Sequence, residues 1–256
     1  MKRLVPLLML MFAMPAMARQ FDVEVIIFKR NVNAEQTQES WPNNLPAISL
    51  DGVGSLGSQA YMERKGVTLL PHSSYRLNEA EQRLRNHAGY RVLMHTAWRQ
   101  GDQSKYSAPV FHILAGRDFS GQFNHNGTPV GSDNDATPIS GVTENSVPSA
   151  LYELDGKLQV YVQHYLYADV EMDLKEPSKR EVALRSVSAI EPQDTNNSTG
   201  DSIVRLGNLQ NVTPEVETQT FLKPYRMNQK RRMRSGEIHY FDHPLMGMII
   251  QVRKAY

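Results

Sequence analysis

The chain has 256 residues, with 28 Lys and Arg against 27 Asp and Glu, and it contains no cysteine. A formal charge of +1 argues against broad electrostatic binding to nucleic acid. The lack of cysteine excludes disulfides, cysteine metal sites and a thiol nucleophile. No acid/base pair, Ser/His/Asp order or glycine-rich phosphate loop stands out, so the sequence shows no catalytic centre, and we expect no cofactor.

Residues 1–18 have the pattern of a secretory signal peptide. Lys2 and Arg3 precede an apolar run over 4–14, and small residues predict cleavage after Ala18. An uncleaved anchor is the alternative, but a membrane-spanning helix needs about 20 apolar residues. We therefore expect an exported chain with no transmembrane segment, and loss of Lys2 and Arg3 changes its formal charge from +1 to −1.

The first part of the mature chain predicts a strand, a loop and a helix. Alternating apolar residues over 21–28 indicate a strand, and residues 31–60 are polar and predict a long loop. Apolar residues three or four apart predict a helix over about 79–88. Asn78 with Glu81 resembles a capping box for its start.

The middle of the chain predicts two strands and a second long loop. Residues 90–99 and 108–115 read as an antiparallel hairpin, with Trp98 on the face that favours the core. Residues 116–149 are dominated by Gly, Asn, Asp, Ser, Thr and Pro. Such a stretch buries little apolar surface and predicts a long, mobile loop.

The clearest alternation of the chain runs over 158–174, where every even residue is apolar or small except His164. This period of two predicts one extended strand, or two separated by a bulge, with one buried face. A weaker strand is predicted over 182–190, followed by a polar loop over 191–202.

The C-terminal segment predicts three strands, over 221–233, 237–241 and 248–252, with a turn at 242–244 between the last two. Together these elements predict an α+β fold, mainly an antiparallel β-sheet with one clear helix and long polar loops. We expect residues 19–256 to form a single domain.

Three tyrosines lie on the polar side of the 158–174 pattern: Tyr161, Tyr165 and Tyr167. Exposed aromatic rings are typical of sugar-binding surfaces, because the apolar faces of sugars stack on them. A tyrosine-rich strand packed under a second layer is the alternative, and the usual burial of aromatic residues favours it.

A second candidate is the basic cluster formed by Lys230, Arg231, Arg232 and Arg234. Lys and Arg on an edge strand prevent unwanted strand pairing, which gives the cluster a structural explanation. Its functional interpretation is contact with an anionic partner, such as the carboxylates of wall peptides, an acidic protein or phospholipid. From these two candidates we select Tyr161, Tyr165, Tyr167, Arg231, Arg232 and Arg234 as possible binding residues.

His239 and His243, with Asp242 between them, are residue types that bind zinc. Pro244 and the flanking strand patterns argue against a helix that would place both imidazoles on one face. A turn stabilised by a hydrogen bond of Asp242 explains the motif better, and no metal site is predicted.

Two segments resemble a known family. These are 21–28, FDVEVIIF, directly after the signal peptide, and 231–247, RRMRSGEIHYFDHPLMG. Together they resemble the CsiV family of periplasmic peptidoglycan-binding proteins of Gram-negative bacteria. The length and organisation of the whole mature chain also match this family.

The resemblance implies a non-catalytic periplasmic factor that binds peptidoglycan and supports cell-wall synthesis and cell shape. It implies a partner as well: the outer-membrane lipoprotein activator, LpoA, of a bifunctional penicillin-binding protein. The resemblance transfers no ligand residues. The alternatives are an envelope adaptor that binds proteins without direct glycan contact, and a periplasmic hydrolase.

Overall fold

The computed structural model describes residues 19–37, 39–132, 150–183 and 216–255. Within these ranges the chain forms ten strands and two short α-helices. The strands are β1 Gln20–Arg30, β2 Gly54–Ser55, β3 Thr68–Leu69, β4 Tyr90–Gly101, β5 Val110–Asp118, β6 Tyr152–Gln163, β7 Tyr165–Ala183, β8 Val216–Met233, β9 Ile238–Asp242 and β10 Met246–Ala255. The helices are α1 Gln59–Lys65 and α2 Asn78–Asn86.

The strands form two five-stranded sheets. Sheet 1 has the order β3-β4-β1-β10-β9, and sheet 2 has the order β2-β5-β6-β7-β8. All neighbouring strands are antiparallel except β2 and β5. The predicted fold class is therefore confirmed: the described chain is mostly β, largely antiparallel, with short helices.

The apolar faces of both sheets contribute to one core. Val23, Val25 and Ile27 alternate along β1 and are fully buried, as the period-two pattern predicts. The ring of Trp98 from sheet 1 packs 5.2 Å from that of Phe111 in sheet 2. Burial of each such side chain contributes about 1.5–3 kcal/mol, which makes this shared core the main stabilising feature of the fold.

The predicted hairpin between residues 90–99 and 108–115 is wrong. β4 pairs with β1 and β3 in sheet 1, whereas β5 pairs with β6 and β2 in sheet 2. The two strands lie on opposite sides of the core, where the Gln100 side chain donates to the carbonyl oxygen of Val160 at 2.8 Å. Alternation identifies each strand, but it does not say whether the next strand pairs beside it or packs opposite it.

The prediction for 158–174, one extended strand or two separated by a bulge, is also wrong. β6 and β7 form a hairpin that turns at His164, whose φ of 62° is left-handed. Val162 pairs with Leu166, and Val160 with Ala168, so even residues pair with even residues on both sides of the turn. The apolar pattern therefore continues through the turn without a change of phase, so the alternation in the sequence gives no sign of the turn.

The predicted helix over 79–88 is confirmed as α2, but its start is not a capping box. No side chain caps the helix at Leu77. The Glu24 carboxylate of β1 instead accepts the backbone N–H groups of Arg76 and Leu77 at 2.8–3.0 Å. A carboxylate that is distant in sequence thus takes the place of the local cap.

The long loop predicted over 31–60 contains more structure than expected. It includes a short 3-10 turn at Ala34–Gln36, strand β2 and the start of α1. Ser58 caps α1 by accepting the N–H of Tyr61 at 3.4 Å, and Gly66 ends the helix with a left-handed φ of 65°.

The long loop predicted over 116–149 is partly folded. β5 extends into it as far as Asp118, and Phe119 and Phe123 pack with Leu151 and Leu222 in a small second apolar cluster. The polar composition of this segment gave no indication that Phe119 and Phe123 are buried. The remainder, 133–149, lies outside the described residues.

The C-terminal strands are confirmed as β8, β9 and β10, with the turn predicted at 242–244 between the last two. Only the start of the strand predicted over 182–190 is described, as the end of β7. The predicted signal peptide and the loop over 191–202 lie outside the described residues. No helix among the described residues is long and apolar enough to cross a membrane.

Candidate functional site

The three candidate tyrosines lie on the outer face of sheet 2, away from the core. Tyr161 of β6 and Tyr167 of β7 are cross-strand partners, and their rings stack with centroids 5.4 Å apart. Tyr161 is only 1% exposed, whereas Tyr165 beside the hairpin turn is 54% exposed. This row of three tyrosines, called the tyrosine stripe below, therefore has a buried end and an exposed end.

Strand β8 places two cations directly over these rings. The ammonium of Lys230 lies 5.7 Å from the ring centre of Tyr161 and 5.2 Å from that of Tyr167. The guanidinium of Arg232 lies 4.5 Å from the ring centre of Tyr165. We call the surface formed by Tyr161, Tyr165, Tyr167, Lys230 and Arg232 the aromatic–basic face. Tyr165 and Arg232 lie at its outer end, beside the hairpin turn.

Lys230 is held in its charged form on this face. The adjacent Tyr161 hydroxyl, and then the carboxylate of Asp169, raise the pKa of Lys230 above its ordinary value. The aromatic–basic face thus keeps a positive charge beside its rings at physiological pH.

The other two predicted cations do not join this face. Successive residues of a strand point to opposite sides, so Arg231 extends away from Arg232 and lies 5.3 Å from the ring of Phe241. Arg234 follows the end of β8, is 81% exposed and lies 3.6 Å from Glu237. β8 is an edge strand of sheet 2, as the structural explanation of the cluster requires.

An open cavity of about 400 Å³ adjoins the aromatic–basic face. The Lys157 ammonium donates to the carbonyl oxygen of Ser49 at 2.9 Å and so ties the 45–53 loop over this part of sheet 2. We call this cavity the mixed-charge cavity. The charged and amide side chains that line the cavity are Asp51, Lys105, Lys157, Gln159, Asp169, Glu171 and Asn228.

Sequence reasoning named Lys230 in the basic cluster without selecting it as a binding residue, and it missed the contribution of Lys105, Lys157 and Asp169 to this surface. The odd-numbered positions of β6 and β7 were a usable signal, because Lys157 and Asp169 share them with the tyrosines. Lys105 comes from the segment between β4 and β5, and its approach to Asp169, at 3.6 Å, depends on the tertiary fold.

The outer face of sheet 1 carries a different charged cluster. His95 lies between two carboxylates, with Nδ1 2.8 Å from Glu81 and Nε2 3.0 Å from Glu24. Only a protonated imidazole donates from both nitrogens. Arg253 adds a 2.9 Å contact to Glu24, whose carboxylate is fully buried under α2.

These contacts shift the pKa values of the cluster in opposite directions. Burial opposes the charge on each group, but the hydrogen bonds outweigh it. The pKa of His95 is raised because Glu24 and Glu81 accept its protons, and the pKa values of Glu24 and Glu81 are lowered by hydrogen bonds from His95 and further donors. The His95 side chain is only 3% exposed, which indicates a structural role.

The histidines near the 242–244 turn have separate environments. Burial lowers the pKa of His243 to about 4, and its Nδ1 accepts the N–H of Leu245 at 3.2 Å. His239 contacts the backbone of Arg234. In the described part of the chain no three His, Cys, Asp or Glu residues are placed to hold a metal ion.

The side chain of Asp242 does not make the local turn hydrogen bond that was expected of it. It accepts the Tyr240 hydroxyl at 2.9 Å and pairs with Arg30 of β1. His243 makes the local hydrogen bond instead.

Comparison with known proteins defines the class to which this chain belongs. A family profile described as "Peptidoglycan-binding protein, CsiV" matches residues 2–255, which is nearly the whole chain. The chain is thus a member of the CsiV family of peptidoglycan-binding proteins. No curated protein and no solved structure matches it.

Proposed function

We propose that this protein is a non-catalytic factor that binds peptidoglycan through the aromatic–basic face of sheet 2. The observation that carries the proposal is the exposed ring of Tyr165 under the guanidinium of Arg232, beside Tyr167 and Lys230. The name of the family describes binding and not catalysis, and it places the ligand in the cell envelope.

The chemistry of peptidoglycan suits this combination. Its sugar rings have apolar faces that stack on aromatic side chains, and its peptides carry carboxylates that pair with Lys and Arg. Tyr165 and Tyr167 offer the rings, and Lys230 and Arg232 offer the cations. Tyr161 supports Tyr167 from a buried position and is not available for direct contact.

In the same proposal, binding to the wall supports wall synthesis and cell shape in the periplasm. The chain would do so together with the lipoprotein activator, LpoA, of a bifunctional penicillin-binding protein. One feature of the fold suits a protein partner: β8 is an 18-residue edge strand, and edge strands pair with strands of other chains. An adaptor that binds proteins but not glycan is the second candidate, and this edge is the observation in its favour.

Co-sedimentation of the mature protein with purified sacculi tests the proposal. We expect the wild type to sediment with sacculi, with binding that weakens only in part as salt screens the cations. The double variant Tyr165→Ala/Arg232→Gln should remain in the supernatant with an unchanged melting temperature. Arg83→Gln removes an exposed arginine on α2 and serves as the control.

A wild-type protein that stays in the supernatant but captures LpoA would support the adaptor instead. Sedimentation of the double variant at the wild-type level would remove the aromatic–basic face from the proposal.

A further inference from the structure

The mixed-charge cavity continues the aromatic–basic face along the same strands. Asp169 follows Tyr167 by two residues on β7, on the same side of the sheet, which places it about 7 Å further along. Its cross-strand neighbour on β8 is Lys230. A ligand whose sugar lies on Tyr165 and Tyr167 therefore reaches the cavity with its attached peptide.

We infer that this cavity binds the zwitterionic end of a wall peptide, a diamino-acid residue whose free ammonium and free carboxylate are carried by one carbon. The inference rests on the proposed peptidoglycan binding and adds the part of the ligand that is recognised. In this arrangement the ligand carboxylate pairs with Lys105 and Lys157, and the ligand ammonium pairs with Asp169 and Asp51.

The charges that line the cavity favour a zwitterion over a simple anion or cation. Its cations, Lys105 and Lys157, face the carboxylates of Asp51, Asp169 and Glu171. An anion would pair with the two ammonium groups but lie beside three carboxylates, and a cation would pair with the carboxylates but lie beside two ammonium groups. A group with both signs satisfies both sets at once.

Ligand binding requires only a small rearrangement of the existing ion pairs. Lys105 lies 3.6 Å from Asp169, and Lys157 lies 3.1 Å from Glu171, and all four side chains remain partly exposed. Such pairs contribute little to stability, so their exchange for ligand charges costs little.

The carboxylate of Asp51 is already available at the rim. Its contact among the described residues is a 3.0 Å hydrogen bond from the Ser49 hydroxyl, and no cation lies within ion-pair distance of it. A cavity of about 400 Å³ also has the size that holds a small ligand group.

This arrangement has a consequence for the state of the wall that is bound. Cross-linking converts the free ammonium of the diamino acid into an amide, which carries no charge. The cavity therefore favours peptides whose distal ammonium has not been cross-linked.

The test uses the mature protein and two synthetic tripeptides that end in a diamino acid, identical except that one is acetylated on the distal ammonium. Calorimetric titration should show binding of the free peptide and a Kd at least about tenfold higher after acetylation, since the charge-assisted contacts of the ammonium with Asp169 and Asp51 are lost. Asp169→Asn should reduce this discrimination to within about twofold. The control Glu79→Gln removes an exposed carboxylate on α2 and should preserve it.

Lys105→Gln provides a second arm that does not depend on Asp169. It should weaken binding of the free peptide while leaving unchanged the binding of a peptide amidated at the carboxylate on the carbon that carries the free ammonium. Thermal unfolding of each variant, expected to match the wild type, excludes loss of folding as the cause.

The outcomes separate this inference from the proposed function. If the wild type sediments with sacculi but binds both peptides equally, or neither, the inference is overturned and the proposed function stands. If it binds neither sacculi nor peptides, both fail.

Discussion

The outer faces of the two sheets use charged residues in opposite ways. On sheet 1, α2 covers Glu24 and His95, and the charges of Glu24, Glu81, His95 and Arg253 pair with one another. On sheet 2, the described residues place the 45–53 loop over part of the face, and Tyr165, Lys230 and Arg232 remain exposed. The difference teaches that a charged strand face becomes structural when a helix seals it and stays available to a ligand when none does.

The largest expected effect comes from disrupting the outer face of sheet 1 under α2, called the sealed face below. Glu24→Ala leaves His95 and Arg253 without their shared carboxylate and frees two backbone N–H groups at the start of α2. Removing one partner of a buried charged pair costs about 3–5 kcal/mol in the free energy of unfolding. Urea denaturation measures this, and the exposed Glu79→Ala should change stability by less than about 0.5 kcal/mol.

The next effect separates two tyrosines of the open face. Tyr161→Ala removes a buried ring that stacks on Tyr167, and it should lower the free energy of unfolding by about 3 kcal/mol. Tyr165→Ala removes an exposed ring and should change stability by less than about 0.5 kcal/mol. Equal losses of stability in the two variants would show that the whole stripe is core.

The contribution of the sealed face to the stability of the fold should also depend on pH. The raised pKa of His95 means that its protonation stabilises the fold fully below pH 6.5, and that this contribution is lost as pH rises through the folded-state pKa. The lowered pKa values of Glu24 and Glu81 stabilise the fold above pH 4.5 and lose that effect as pH falls. The cluster therefore contributes most between pH 4.5 and 6.5.

Comparison of wild type with His95→Gln isolates this contribution from that of His243. His243, with its pKa lowered to about 4, destabilises the fold as pH falls below 6.5, which is the opposite sign. The difference in unfolding free energy between wild type and His95→Gln should shrink as pH rises above 6.5. A difference that stays constant from pH 5 to 9 would show that folding does not shift the pKa of His95.

The smallest effect distinguishes two arginines that look alike in the sequence. Arg232→Gln should weaken binding to sacculi about threefold to tenfold, because it removes a charge from the ligand-facing side. Arg234→Gln should change binding by less than about twofold, because Arg234 lies beyond the end of β8. A reversed order would move the site towards the β8–β9 connection.

Most of the strands and α2 follow from the sequence, because each buries one face and leaves a clear period. The pairing of strands does not follow, since the turn at His164 preserves the alternation and the segment between β4 and β5 changes sheets. α1 is too short, at seven residues, to show a helical period inside a polar segment.

The candidate site could be predicted only in part. The tyrosines and the basic cluster stand out as residue types, and the parity of β6 and β7 places Tyr161, Tyr165 and Tyr167 on one face. The sequence cannot show the register of β8 against β7, in which Arg232 pairs with Tyr167. This register brings Lys230 and Arg232 to the face of the tyrosines and turns Arg231 away from it. It also cannot show that Tyr161 is buried while Tyr165 is exposed.

The most direct test of the account is oxidative footprinting of tyrosine side chains with and without soluble peptidoglycan fragments. Tyr165 on sheet 2 is 54% exposed and Tyr240 on sheet 1 is 36% exposed, so both are open to labelling in the free protein. We predict that the fragments protect Tyr165 and leave Tyr240 unchanged. Protection of Tyr240 with no change at Tyr165 would contradict the assignment of the binding surface to sheet 2.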